Sequence, residues 1–166
     1  EESTVDNIYI SHVVEHIESK FVEKFLQEAI RVLKKGSVLR IACPDSKFLY
    51  EVSSFSNNYW EWRRGYFESR GFNWDKIKKE DCLIRELCTP KLKFNKNRIN
   101  DYVENNSTIF QNDYKTIINF LKKDLHFRFN HPGDHINCWD FEQLNYLGKK
   151  VGFEHVIESK YRGSVS

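Results

Sequence analysis

Two short stretches hold most of the side chains able to do chemistry: Ser11-His12-Val13-Val14-Glu15-His16 and Asn130-His131-Pro132-Gly133-Asp134-His135-Ile136-Asn137-Cys138. His12, with an ordinary pKa of about 6.5, is a candidate acid, base or orienter at neutral pH. Its plainer role is to cap a turn. Glu15 and His16 follow three and four residues later, a spacing that brings side chains to one helix face. Pairing with that helix or a neighbouring loop is their expected role. His131, His135 and Cys138 are residue types that ligate zinc, but no second ligand pair with finger or catalytic spacing accompanies them, so no metal is expected. Asp45, following Pro44, can meet a substrate hydroxyl or amine, or cap the next helix.

These residues need elements to position them. Ile8-Tyr9-Ile10 reads as a short buried strand, with Ser11 placed to cap a following helix. Phe21, Phe25, Ala29 and Leu33, with Val22, Leu26 and Ile30 beside them, repeat at helical spacing, and Gly36 offers a left-handed residue to end that helix. Ser37 to Cys43 is rich in branched residues and stops at Pro44-Asp45. Strand, helix, strand implies two parallel neighbours. Ligands of open parallel sheets lie beyond the carboxyl ends of the strands, which here are Ser11-His12 and Pro44-Asp45.

Residues 46 to about 130 differ in kind. Aromatic-rich helical pieces alternate with polar breaks: the cluster Tyr59 to Phe67, a break at Thr89-Pro90, and a loop from Asn95 to Asn112. A helix follows with Tyr114, Ile117, Ile118, Leu121 and Leu125 on one face. Near the C-terminus, Asp140 and Gln143 form a capping box, Gly152 ends that helix, and Phe153 to Ser159 reads as a strand. The aromatic and arginine residues between Trp60 and Trp74 could stack on a planar substrate or roof a site, while Lys91, Lys93, Lys96 and Arg98 form a local basic patch.

Composition narrows the partners. The 166 residues carry 26 Lys+Arg against 24 Asp+Glu, a net charge of +2, so no bulk electrostatic grip on nucleic acid is expected. Hydrophobic content of 40% supports a core, and no apolar stretch is long enough to span a bilayer. Four cysteines without a CxxC pair, one of them within the apolar run ending at Cys43, favour a reducing, cytoplasmic setting. The chain contains no methionine and enters a strand almost at once, so it reads as a fragment that starts within a domain.

The segments Ile8-Tyr9-Ile10-Ser11-His12-Val13-Val14-Glu15-His16-Ile17 and Glu28 to Asp45 resemble the fourth and fifth strands of class I S-adenosylmethionine-dependent methyltransferases of the type 11 kind. His135 to Phe153 is similar to the helix and strand that follow in that family. The family's Gly-rich loop and its acidic ribose-binding residue have no counterpart here.

The resemblance implies an α/β fold: a partial Rossmann-like sheet with helices on both faces and a mainly helical insertion. Residues 1–45 would be the C-terminal half of the core, 46–137 an insertion or substrate cap, and 138–166 a return to the core. The implied activity is transfer of a methyl group from S-adenosylmethionine to a small-molecule or glycan-type acceptor, the reaction of a one-carbon transferase. Ser11, His12 and Val13 would lie beside the cofactor, and His12, His135 and Asp45 would face the chemistry. The alternative is a truncated or degenerate methyltransferase-like domain that binds a partner or itself without catalysis. Neither a nucleic-acid nor a membrane partner is expected.

Overall fold

The computed structural model describes residues 2–54, 58–76, 79–92 and 98–159. Its architecture is mixed α/β. Strands β1 (Val5–Ser11) and β2 (Leu33–Ala42) pair in parallel, Ile8 beside Leu39 and Ile10 beside Ile41. Between them runs α1 (Ser19–Val32), which buries Val22, Leu26 and Ala29. After the sheet come α2 (Ser46–Ser54), α3 (Asn58–Ser69), α4 (Lys79–Leu87), α5 (Thr89–Leu92), α6 (Arg98–Asn105), α7 (Ser107–Phe110), α8 (Tyr114–Lys122) and α9 (Phe141–Val151). No helix among the described residues is long and apolar enough to cross a membrane.

Two hydrophobic clusters hold the molecule together. One packs Ile10, Leu39 and Ile41 of the sheet against Val22, Phe25 and Leu26 of α1 and Leu144, Leu147 and Val151 of α9. The other lies among the helices that follow the sheet, where Leu49, Trp60, Phe67, Ile84, Leu87, Ile118 and Leu121 meet. The period-2 pattern of the strands thus sends one set of side chains inward and leaves Asn7, Tyr9, Val38 and Arg40 exposed. Helices on both faces are not observed: among the described residues only the inward face is covered, while Arg40 lies over the Tyr9 ring on the other.

The parallel pairing, the α8 and α9 faces and the burial of Val22, Leu26 and Ala29 on α1 match the sequence reading, as do Asp140 capping Gln143 N at 2.8 Å and Gly152 ending α9 at φ 110°; Phe21, expected on the apolar face of α1, is instead 53% exposed. Other expectations are corrected. Ser11 does not cap a helix: it remains in β1 beside Ala42, and only a 3-10 turn at Val14–His16 follows before α1. Gly36 does not end α1, because the chain turns extended at Leu33, which is buried and pairs with Val5. Instead Gly36, at φ 81°, turns an excursion inside β2, where the five steps from Leu33 to Val38 run beside the two from Val5 to Asn7.

Within the stretch Asn95–Asn112, expected to be a loop, residues 98–110 form α6 and α7, whose Val103 and Phe110 are buried in the second hydrophobic cluster, while residues 95–97 lie outside the described residues. Tertiary burial there outweighs a weak local pattern. Thr89-Pro90 does mark a break, since α4 stops at Leu87 and Pro90 sits in the first turn of α5. Phe153–Ser159 forms no strand among the described residues; Val156 packs on Gly148 instead, 3.0 Å from where a Cβ would stand.

Candidate active site

The carboxyl end of β1 is extended by one bond, His12 N to Ala42 O at 2.9 Å, after which His12 itself adopts φ 54°. A non-glycine residue in this left-handed region carries strain and must be held by its surroundings. The following turn supplies that hold. His12 Nδ1 lies 3.0 Å from Glu15 Oε1, and Glu15 is only 2% exposed although the His12 side chain is 67% exposed.

The second histidine-bearing stretch is sewn onto this turn. Ile136 N and Asn137 N both donate to Glu15 O, at 2.8 and 3.1 Å. Asn137, almost fully buried, donates from Nδ2 to Ile17 O at 3.0 Å, while its Oδ1 accepts from Ser19 Oγ at 3.1 Å and Cys138 N at 3.2 Å. Trp139 Nε1 donates to Val14 O at 3.0 Å. The carbonyls of Val14, Glu15 and Ile17 in the irregular turn at 12–18 are thus met from 136–139, as buried polar groups require.

This stitching places two imidazoles side by side. His16 Nδ1 contacts Asp134 O at 2.8 Å and His135 Nδ1 contacts Glu86 O at 2.7 Å, with the ring centroids 4.9 Å apart and edge to face. A carbonyl only accepts, so both Nδ1 atoms carry hydrogen and both Nε2 atoms are left as the second functional nitrogen of each ring. Asp134 is itself buried and held by Arg128 at 2.5 Å, and Thr89 Oγ1 accepts from His135 N at 2.7 Å.

Asp45 sits at the end of β2, where its Oδ1 accepts from Lys47 N and Phe48 N at 2.9 and 3.1 Å. It thereby caps α2. Its backbone bridges Trp139, and Ser46 N donates to Trp139 O at 2.8 Å, so β2 and the 136–139 strand-like segment converge at the same edge. Ser46 Oγ lies 2.7 Å from Tyr114 Oη, and Tyr114 donates to Asp140 Oδ2 at 2.7 Å. Burial and the Asp140 carboxylate push the Tyr114 hydroxyl well above the usual tyrosine range. Close by, burial first and the Glu15 and Asp45 carboxylates next push the Cys43 thiol up to about 12, so it stays protonated and unreactive.

Of the residues singled out from sequence, Ser11, His12 and Val13 share the exposed end of β1, and His135 comes to the same edge through His16 and Glu15. Asp45 reaches that edge from β2 as a cap. The trio His131, His135 and Cys138 is not brought together, for Cys138 Sγ meets Cys88 Sγ at 3.5 Å inside the second hydrophobic cluster. An open groove of about 530 Å³ follows His126 to His131, apart from the strand ends. Trp60 and Phe67 belong to the second hydrophobic cluster, and Arg63 pairs with Glu86, leaving Trp62 at the surface. Lys93 and Lys96 lie outside the described residues, and Lys91 Nζ donates to Lys123 O at 2.9 Å.

Sequence reasoning assigned no role to Asn137 and Trp139, which bind the two stretches together. Their one local signal is an amide between apolar neighbours, Ile136-Asn137-Cys138, which a surface loop would rarely carry. Comparison with known proteins supplies a further fact: residues 1–41 match the family model of a methyltransferase domain. No curated protein and no solved structure matches the chain.

Proposed function

With a methyltransferase-like domain as the premise for residues 1–41, we propose that this chain supplies the strand-end edge of an S-adenosylmethionine-dependent methyltransferase acting on a small-molecule or glycan-type acceptor. The observation that carries the reading is the meeting of that matched segment with the 135–140 segment at the carboxyl ends of two parallel strands. Ser11, His12 and Val13 fit a ligand with polar and apolar parts, since a hydroxyl, an imidazole and a partly exposed aliphatic side chain stand together on that edge. When bound, the cofactor supplies an electrophilic methyl group. The chain's own task is positioning and, where the acceptor bears a proton, removing it. His12 suits this task because Glu15 engages Nδ1, leaving Nε2 as the ring's acceptor. Asp45 keeps the β2 end rigid through its cap. The free thiols at Cys43, Cys88 and Cys138 are in keeping with a reducing, cytoplasmic setting.

Calorimetric titration of the full-length protein with S-adenosylmethionine tests this reading. One-site binding is expected, and it should be lost in Val13→Asp, which places a charge at the apolar part of the edge. A folded protein that gives no binding would overturn the proposal. That outcome would favour the second reading, a methyltransferase-like module that binds without catalysis, which the exposed outer face of the sheet at Tyr9 and Val38 supports.

A further inference from the structure

Glu15, His16 and His135 leave one problem unsolved by the protein itself. Glu15 is buried, its Oε1 is met by His12, and its Oε2 has no hydrogen-bond partner. A buried carboxylate oxygen without a partner is costly. Around it, one ligand atom each from Glu15, His16 and His135 lie within 4.8 Å of one another. Both imidazoles donate Nδ1–H to backbone carbonyls, the outer-sphere arrangement that fixes a metal-binding tautomer and aims Nε2 at an ion. His12 does the equivalent for the carboxylate by engaging Oε1 alone.

We propose that Glu15, His16 and His135 form a binding site for a divalent transition-metal ion of the zinc class, with a coordination position open toward the strand-end edge. Two neutral imidazoles and one carboxylate make a mixed donor set that such ions accept, while calcium and magnesium prefer oxygen throughout. Bonds of about 2.0–2.1 Å would draw the three donors in to roughly 3.3 Å from one another, a closure within reach of the Glu15 side chain and the two ring torsions. The open position would take an oxygen or nitrogen of an acceptor, or water. The metal site rests on this geometry and not on methyl transfer, so its failure and that of the methyltransferase reading are separable.

Titration of the full-length, chelator-treated protein with Co²⁺, followed by visible absorption, and with Zn²⁺, followed by calorimetry, provides the test. One equivalent should bind, with no sulfur-to-metal charge-transfer band. Glu15→Gln, His16→Ala and His135→Ala should each weaken binding at least about tenfold, whereas His131→Ala and His155→Ala should leave it unchanged. Thermal unfolding with Zn²⁺ against chelator covers the case of a variant that does not fold: the wild-type midpoint should rise with Zn²⁺. No stoichiometric binding, binding that survives Glu15→Gln and His135→Ala, a thiolate band, or a wild-type midpoint indifferent to Zn²⁺ would each overturn the proposal.

Discussion

Asn137→Ala is the sharpest probe of how the two histidine-bearing stretches are joined. The change removes three side-chain hydrogen bonds, to Ile17 O, Ser19 Oγ and Cys138 N, at a residue only 1% exposed. At about 1 kcal/mol for each bond, the loss comes to roughly 3 kcal/mol, before any cost of the space left behind. For a chain of this size that lowers the unfolding midpoint by about 6–12 °C. Urea denaturation followed by circular dichroism measures it. Asn137→Asp adds a second reading, because the new carboxylate keeps the two acceptor roles but turns an oxygen toward Ile17 O. Burial beside a carbonyl raises the folded pKa of that acid above its unfolded value of about 3.9. Below the unfolded pKa the protonated acid donates as the amide does, and the variant approaches wild type; the deficit grows as pH rises and levels off above the folded pKa. A loss under 1 kcal/mol for Asn137→Ala, or a pH-independent deficit for Asn137→Asp, would refute the argument that this amide carries the junction.

Tyr114→Phe keeps the ring 5.6 Å from Tyr50 but strips the donor from Asp140 Oδ2, and should cost about 1–2 kcal/mol at this half-buried hydroxyl in thermal melts. Pairing it with Asp140→Asn, which preserves the α9 cap, should show non-additivity in a double-mutant cycle. Cys43, with its thiol held near 12, should alkylate slowly in the native protein at pH 8 and rapidly in urea, as peptide mapping after iodoacetamide treatment would show.

Much of the scaffold was legible because its signals are local. The 3.6-residue period of α1, α8 and α9, the Asp140 cap and the Gly152 stop each lie within a few residues of the structure they determine. Gly36 shows the limit of such signals: the need for a left-handed residue was visible, but the pairing of Leu33 with Val5 decided that it would serve a strand and not a helix end. The chain after Ser11 has the same lesson. No local rule places a left-handed His12, because its geometry answers Glu15 and bonds arriving from Ile136 and Asn137. His12 and His135 stand out as candidates by residue type, and Ser11 and Val13 through the family resemblance, but the contact of His16 with Asp134 spans 118 positions and left no trace in spacing.

That long span has its own thermodynamic meaning. The bonds from His16 to Asp134 and from Trp139 to Val14 close a loop of well over a hundred residues, within which the helices keep a core of their own. Closure entropy rises only logarithmically with loop length, by about 0.6 kcal/mol for each doubling. The junction therefore tolerates a longer or shorter helical segment at small cost, provided Asp45 and the 134–139 segment still arrive at the strand ends. The edge that positions His12 and the helices between the two histidine-bearing stretches are free to diversify separately.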